Sequence, residues 1–371
     1  MAERPVILAA GGTGGHVFPA QALAEELLVR GHSLALVTDH RGLEYGGALG
    51  CIETFRISAA GLGEGLMGKL RGFIELGIGF LQARRVLSRL RPGAVVGFGG
   101  YPALPTMIAA CRAGLPTLIH EQNAIIGRAN AFLAPRVNRI ATSFASVTGI
   151  GAPDWKKSVH IGNPVRAAIA ELSDHVYADP TGEEFAILVL GGSQGAQVLS
   201  DVVPGALAAL PKTARRWICV IQQCRKEDIE RVRLAYRDQN IRAELSTFFD
   251  DLPDRLQAAH LVICRAGAST VAELVEAGRP AVLVPYRFAT DDHQRANASA
   301  LAEAGGGWMM LENEFTLEAL ARRIEELIKD PALLARAAAG AASLRRGAAA
   351  SLLADEVESL LGDVRDHEAA P

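Results

Sequence analysis

The chain has few of the residues that disulfide-stapled or membrane-spanning proteins need. Its five cysteines, among 371 residues, form no CxxC pair and no metal-site spacing, so we expect reduced thiols. No stretch reaches the roughly 18 uninterrupted apolar residues of a membrane span, and a strand-like run follows Met1 too closely for a signal peptide. We therefore expect a cytosolic protein that at most lies on a membrane, with no nucleic-acid partner.

The net charge is only −3, but it is unevenly distributed. Residues 1–165 carry 16 basic and 10 acidic side chains, whereas the remainder carries 22 basic and 31 acidic ones. A basic first half suggests an anionic partner, such as phosphate groups or an anionic membrane surface. Scatter of charge between two domains would give the same numbers, and the length suits two domains.

Apolar runs alternate with helical patterns, which predicts parallel sheets covered by helices. The predicted strands are 5–10, 33–39, 94–100, 116–121, 139–144, 185–192, 216–223, 261–267 and 280–286. The predicted helices are 19–30, 65–90, 102–113, 196–210, 226–238, 270–277, 291–304, 316–328 and an alanine-rich region at 332–361, before a frayed end of about ten residues.

The same signature occurs twice along the chain. VILAAGGTGGH near the start and AILVLGGSQGA near the middle each pass from a strand into a glycine cluster and then a helix. Two tandem Rossmann-type domains account for this repeat: 1–165, joined by a C-terminal helix at about 345–362, and 166–344. Open α/β sheets bind ligands beyond the carboxyl ends of their strands, so two such edges facing each other predict an interdomain cleft.

The glycine loops suit an anion. Helix N-termini present unpaired N–H groups and positive potential, and glycine permits close approach. GGTGGH lacks the P-loop lysine and the register of GxGxxG, although Asp39 could imitate the ribose-binding acid of a nicotinamide site. A nicotinamide-dependent oxidoreductase is therefore one alternative, and glycines that only permit a tight turn are another. His16 either caps the first helix or serves as a neutral base, which the helix dipole favours.

Seven motifs occur in the order found in the MurG family of bacterial N-acetylglucosaminyltransferases, which the chain resembles over nearly its whole length. They are GGTGGHVFPA (11–20), GGYPALPTMIAA (99–110), HEQN (120–123), GNPVR (162–166), GGSQGA (191–196), RAGASTVAEL (265–274) and DDHQRANA (291–298). The resemblance implies the GT-B fold, an α/β architecture of two facing Rossmann-like domains with a deep interdomain cleft.

The resemblance also implies a reaction. GlcNAc would pass from UDP-GlcNAc to the C4 hydroxyl of MurNAc in undecaprenyl-pyrophosphoryl-MurNAc-pentapeptide (lipid I), with inversion, giving lipid II. Such an enzyme serves peptidoglycan and cell-wall biogenesis, and through them cell shape and division. It would act as a peripheral protein on the cytoplasmic side of the plasma membrane.

Site residues follow from the family motifs. The donor and acceptor residues that the resemblance implies are Thr13, Gly14, Gly15, Asn123, Arg166, Ser193, Gln194, Gly195, Glu273, His293 and Gln294. Thr13, Gly14 and Gly15 would lie near the reacting sugars, and the amides of GGSQGA with Ser193 would hold the donor phosphates. The resemblance places Arg166 near the donor.

Several of these residues have a structural alternative. Glu273 is implied to accept the uridine ribose hydroxyls, but TVAE (270–273) also fits a capping box. Ser193 could be an N-cap, Arg166 a surface ion pair, and Asn123 a turn former. Gln294 would contact sugar hydroxyls through its amide, with His293 beside it.

The base is expected to be His16, with Glu121 in reserve. In an inverting displacement the base must approach within about 3 Å of the attacking hydroxyl. The sequence shows no acidic pair with metal-binding spacing, so we expect no metal and no cofactor. The family often has His-Gln-[Ser/Thr]-Gly where residues 222–225 read QQCR, which puts contacts of that loop in doubt.

Residues 66–85 combine apolar and basic side chains, as an interfacial segment beside anionic lipids does. The expected membrane patch comprises Leu66, Met67, Lys69, Phe73, Ile74, Phe80, Arg84 and Arg85. An amphipathic core helix is the alternative, and the glycines at 72, 77 and 79 weaken the case for a long regular helix.

Two further alternatives belong to other classes of protein. A GT-B enzyme could use another lipid or a small-molecule acceptor. A two-domain α/β binding protein could close on a small ligand without catalysis, although secreted proteins of that kind usually carry a signal peptide.

Overall fold

The computed structural model describes residues 4–12, 14–40, 46–59, 65–180, 184–192 and 195–369, without the side chains of Leu66, Lys69 and 363–369. The chain divides into two compact units. The first comprises Met1–Arg166 and Arg346–Pro371, and the second comprises Ala167–Arg345. Each unit contains one parallel sheet covered by helices.

The first unit has a seven-stranded parallel sheet in the order β3-β2-β1-β4-β5-β6-β7. Its strands are β1 (Val6–Ala9), β2 (Leu34–Asp39), β3 (Glu53–Ile57), β4 (Ala94–Gly97), β5 (Thr117–Glu121), β6 (Arg139–Thr142) and β7 (Ser158–His160). Its helices before the crossing to the second unit are α1 (Gly14–Val29), α2 (Gly47–Gly50), α3 (Gly65–Leu90), α4 (Gly100–Arg112), α5 (Arg128–Leu133) and α6 (Ala152–Trp155).

The second unit has a six-stranded parallel sheet in the order β10-β9-β8-β11-β12-β13. Its strands are β8 (Phe185–Leu190), β9 (Ile218–Gln223), β10 (Arg242–Ser246), β11 (Leu261–Cys264), β12 (Ala281–Leu283) and β13 (Gly307–Met309). Its helices are α7 (Ala167–Ala170), α8 (Gln197–Ala209), α9 (Lys212–Arg215), α10 (Ile229–Asp238), α11 (Leu252–Ala258), α12 (Ala268–Ala277), α13 (His293–Glu303), α14 (Leu317–Lys329) and α15 (Pro331–Ala342).

The central strands are apolar on both faces because helices cover both. In β1, Val6 and Leu8 pack with residues of α1, whereas Ile7 and Ala9 pack against α3 and α4. This alternation is the two-residue period of a strand buried on each side. It explains why the sequence of β1 is continuously apolar.

The alanine-rich region predicted to be helical at 332–361 is helical in two segments. Helix α15 ends at Ala342, and the final helix, α16 (Ala349–Ala369), returns to the first unit. Leu353 and Val357 of α16 are buried in the core beside α1. The backbone of α16 is helical to Ala369.

Helix α3 is continuous for 26 residues, through Gly72, Gly77 and Gly79. A glycine is needed at position 79, because a Cβ there would lie 1.9 Å from the carbonyl oxygen of Ser58, the residue after β3. Close packing against the neighbouring backbone therefore explains this glycine better than helix interruption does. Among the described residues, no helix is both long and apolar enough to cross a bilayer.

Candidate active site

The first glycine loop lies at the topological switch point of its sheet, beside β1 and β4, where the strand order reverses. A Cβ on Gly11 would lie 2.8 Å from Thr38 Oγ1 and 2.9 Å from Pro102 Cβ. Gly12 has a φ of +87°. The chain therefore turns tightly into α1, which begins at Gly14, and Gly15 follows in its first turn. Thr13 lies outside the described residues.

His16, the third residue of α1, is oriented by a backbone carbonyl. Its Nδ1 lies 2.7 Å from the carbonyl oxygen of Phe98, directly after β4. Because a carbonyl oxygen only accepts, Nδ1 carries the proton and Nε2 is the basic nitrogen of the neutral ring. The ring lies against Gly99 and Gly100, on which added Cβ atoms would lie 3.4 Å from it.

Glu121 ends β5 as a buried carboxylate that organises the following loop. Its Oε1 accepts from the backbone N and the Nδ2 of Asn123, at 3.0 and 3.3 Å. Its Oε2 accepts from Gly127 N and Asn130 Nδ2, both at 2.9 Å. With four donors on its oxygens, Glu121 has a structural task, and Asn123 belongs to the same turn.

Arg166 is the last residue of the first unit before the chain crosses to the second. Its guanidinium carbon lies 5.3 Å from the centre of the Phe18 ring. That ring lies against Gly14, whose added Cβ would come within 2.9 Å of it. Arg166 is therefore stacked beside the first glycine loop.

The second glycine loop lies at the corresponding switch point of the other sheet, between β8 and α8. A Cβ on Gly191 would lie 2.5 Å from the backbone N of Ala196, so the loop folds back on itself. Gly195, at φ +67°, donates its N–H to Gly192 O over 3.0 Å. Ser193 and Gln194 lie outside the described residues.

The QQCR segment packs directly against this second loop. Gln223 Oε1 accepts from Gly191 N at 3.2 Å, and its Nε2 donates to Thr247 O. A Cβ on Gly195 would lie 2.8 Å from Arg225 Cγ. The departure from the family pattern therefore leaves side-chain support for the loop in place.

Glu273 lies in α12 and is 9% exposed. The helix begins at Ala268 with Gly267 at the N-cap, so Thr270 is already inside its first turn. The capping-box alternative therefore fails, because the box needs Thr270 at the N-cap. Burial of an acid near a helix N-terminus is compatible with a ligand-binding role.

Gln294 and His293 begin α13 after two residues with positive φ. Gln294 Oε1 accepts from Tyr286 N at 2.9 Å, which leaves the amide NH2 to donate elsewhere. His293 Nδ1 lies 2.7 Å from Thr290 O. Gln294 therefore fixes the loop after β12, and His293 closes its own turn.

Sequence reasoning missed several polar side chains that organise these loops. Arg265, at the end of β11, donates to Val284 O and Pro285 O and pairs with Glu312 at 2.9 Å. His120 and Gln122 are buried beside Phe98. The motifs RAGAST and HEQN were visible, but only a fold could show which of their residues point inward.

Two parallel sheets that share the order of their first six strands, each with a glycine loop at its switch point, define a two-domain Rossmann-type protein of the GT-B class. No group of three or more His, Cys, Asp or Glu side chains in the described part of the chain could hold a metal ion.

Comparisons with known proteins agree with this class. The model of the glycosyltransferase family 28 N-terminal domain matches residues 6–142, and that of the C-terminal domain matches residues 186–353. The chain belongs to glycosyltransferase family 28.

Relatives resemble the chain over nearly its full length. The UDP-N-acetylglucosamine--N-acetylmuramyl-(pentapeptide) pyrophosphoryl-undecaprenol N-acetylglucosamine transferase of Paramagnetospirillum magneticum is 56% identical over 362 residues, covering 97% of this chain and 98% of the relative. The Rhodospirillum centenum protein of the same name is 54% identical, with 98% and 96% covered.

The chain also resembles solved structures. Acinetobacter baumannii MurG superposes with a TM-score of 0.79 at 31% identity, covering 96% of this chain and 99% of that one. A glycosyltransferase of kitacinnamycin has a TM-score of 0.71 at 18% identity, covering 97% and 100%, which shows a shared fold alone.

Proposed function

We propose that this protein transfers GlcNAc from UDP-GlcNAc to the C4 hydroxyl of MurNAc in lipid I, producing lipid II for peptidoglycan. The observation that carries the proposal is near-full-length identity of 54–56% to relatives named for this reaction. The glycine loop at each switch point supports it. In an inverting transfer the hydroxyl oxygen bonds to the anomeric carbon as the bond to the UDP oxygen breaks.

The second unit is assigned the donor. The N-terminus of α8, which the Gly191–Gly195 loop leads into, suits a diphosphate, and it would stabilise the charge that develops on departing UDP. Glu273 is assigned to the ribose hydroxyls, because one carboxylate can accept from two adjacent OH groups. The amide of Gln294 is assigned to the sugar hydroxyls, with His293 beside it, and Ser193 and Gln194 to the phosphates.

The first unit is assigned the acceptor, with its pyrophosphate at the Gly11–Gly15 loop and Asn123 nearby. His16 is the proposed base. Its Nδ1–H is bonded to Phe98 O, so Nε2 is the atom that takes the C4 hydroxyl proton. Glu121 is a poorer choice because its oxygens already accept four hydrogen bonds. Arg166, which the resemblance places near the donor, lies beside this first loop and supplies a guanidinium suited to phosphate oxygens.

Peripheral association with the cytoplasmic face of the membrane would bring the protein to its lipid acceptor. One face of α3 is apolar and exposed, formed by Met67, Leu70, Phe73, Ile74, Ile78 and Leu81. Phe80, also expected in the patch, is half-buried instead: it packs against the core and lies under Arg112. Arg84 and Arg85 are exposed further along the helix.

Basic charge also surrounds the carboxyl end of α3. A cavity of about 550 Å³ there is lined by four arginines: Arg4, Arg84, Arg91 and Arg112. Cationic side chains beside an apolar helix face favour an anionic lipid surface. The side chains of Leu66 and Lys69, also expected in the patch, lie outside the described part.

A transfer assay tests the proposal. Radiolabelled UDP-GlcNAc and a lipid I analogue are incubated with wild type and with His16→Ala, and the lipid product is counted. We expect transfer by wild type and a fall of about a hundredfold or more in kcat for the variant. Binding of UDP-GlcNAc without transfer to the analogue would contradict the assigned acceptor, and stabilisation by NADH rather than UDP would contradict the enzyme class.

A further inference from the structure

Three elements of the first unit meet at one backbone carbonyl, that of Phe98. His16 Nδ1 lies 2.7 Å from this oxygen, and Gln122 Nε2 donates to it over 2.8 Å. His16 comes from α1, Phe98 follows β4 and Gln122 follows β5. A carbonyl oxygen has two lone pairs, and these two donors use both of them.

The side-chain amide of Gln122 has only one workable orientation. Its Nε2 also lies 3.2 Å from His120 Nδ1, so the two amide protons match the two acceptors. A flipped amide would turn its oxygen towards Phe98 O, where two acceptors would repel each other. Gln122 is 2% exposed, so water cannot replace a lost partner.

His120 stays neutral, as this arrangement requires. The imidazole is fully buried, and burial lowers its pKa to about 3. Its Nδ1 therefore accepts from Gln122, and its Nε2 carries the proton, 3.2 Å from Ser143 Oγ. Protonation of Nδ1 would set an N–H against the amide of Gln122, but it does not occur near neutral pH.

The Phe98 carbonyl needs this support because glycine follows it. Gly99 has a φ of +82° and Gly100 a φ of +70°. Since glycine tolerates either sign of φ, the peptide between Phe98 and Gly99 can rotate by half a turn at little steric cost. After that rotation the Gly99 N–H would point to where the carbonyl lies, and His16 Nδ1 would become an acceptor. The proton would then sit on Nε2, which could no longer act as base.

We propose that Gln122 is a positioning residue for His16, which it serves by fixing the Phe98 carbonyl that both side chains share. The inference rests on the proposed function, in which His16 takes the acceptor proton. Gln122 need not touch a substrate; its effect passes through one peptide group to the tautomer of the imidazole.

Histidine nitrogen NMR reads that tautomer directly. Two-bond ¹H–¹⁵N spectra of histidine-labelled protein distinguish protonated from unprotonated ring nitrogens, and the signals lost in His16→Ala assign His16. We expect His16 to be the Nδ1–H tautomer in wild type and to populate the Nε2–H tautomer in Gln122→Met. Methionine fills a similar space but has no hydrogen-bond donor. Gln122→Asn, too short to reach both acceptors, should behave likewise and replaces the first variant if that one fails to fold.

Thr106→Val is the matched control. Thr106 is fully buried in α4 of the same unit, and its Oγ1 has no hydrogen-bond partner among the described residues. Loss of this hydroxyl tests whether removing a buried polar group is enough to disturb His16. We expect the Nδ1–H tautomer and the transfer rate of wild type.

Kinetics separates positioning from a general loss of structure. We expect Gln122→Met to lower kcat roughly tenfold while both KM values stay within about twofold, because only proton transfer is impaired. An Nε2–H tautomer in wild type, or unchanged Nδ1–H in both Gln122 variants, would overturn the inference. If wild type transferred no GlcNAc, the proposed function would fail, yet the same spectra would still show whether Gln122 controls the ring.

Discussion

Asn130 Nδ2 donates a 2.9 Å hydrogen bond to Glu121 Oε2, from a helix nine residues further along the chain. Both side chains are at most 2% exposed. Together with the Gly127 N–H, this bond ties the end of β5 to the start of α5. The loop between β5 and α5, in the unit assigned to the acceptor, is therefore held by one buried carboxylate.

Glu121→Gln should loosen this loop. The side-chain NH2 of the new glutamine would face N–H donors that now bind a carboxylate oxygen. This should lower the free energy of local opening by about 1–3 kcal/mol. Hydrogen exchange of residues 121–130 measures that change. Glu53→Gln, on exposed β3, should leave the exchange unaltered. Unchanged protection together with a collapse of kcat would instead identify Glu121 as the base.

Glu273→Ala should mainly raise the KM for UDP-GlcNAc, by about tenfold or more, because the assigned contact is with a part of the donor remote from the reacting bond. The measurement is initial-rate kinetics with the donor varied. Glu276→Gln is a matched control one turn along the same helix, and should leave the donor KM unchanged. Burial raises the pKa of Glu276, so a neutral isostere suits that site. A loss of kcat at unchanged donor KM would contradict the ribose assignment.

The docking of α16 should weaken in acid. Hydrogen bonds from His32 and from Arg30 lower the pKa of the Glu358 carboxyl below its usual value. Because the folded-state pKa is depressed, the carboxylate stabilises the fold above the unfolded value, and this contribution is lost as pH falls through the folded one. Hydrogen exchange of α16 at pH 7 and at about pH 3 measures it, and Glu358→Gln should remove that part of the pH dependence. Equal protection of wild-type α16 at both pH values would contradict the prediction.

Whether a strand can be predicted from the sequence depends on its position in the sheet. The central strands are apolar on both faces and were predicted, whereas β3, β7, β10 and β13 were missed. All four are edge strands, and β3, ETFRI, exposes most of its residues. An edge strand needs no continuous apolar run, because one side faces solvent.

The candidate site was only partly predictable for a related reason. The glycine loops could be predicted from the spacing of their glycines, since glycine alone permits their turns and close approaches. The bond between Gln122 and Phe98 joins residues 24 apart, and His16 lies 82 residues from Phe98. No local pattern encodes such a contact, which depends on three strand and helix ends meeting at one edge of the sheet.

Membrane binding should depend on the exposed face of α3. Phe73 and Ile74 are 62% and 55% exposed, so Phe73→Glu with Ile74→Glu changes no core packing but places two charges on the apolar face. Burial of such side chains in a lipid interface favours binding by about 1.5–3 kcal/mol each, so the double variant should bind at least tenfold more weakly. Sedimentation with phosphatidylglycerol vesicles measures this. Leu234→Glu is the control: Leu234 is an exposed leucine on α10 of the second unit, 46% exposed, and the variant should bind like wild type. Undiminished binding by the double variant would show that lipid contacts another surface, and the arginine-lined cavity at the far end of α3 would be the next to test.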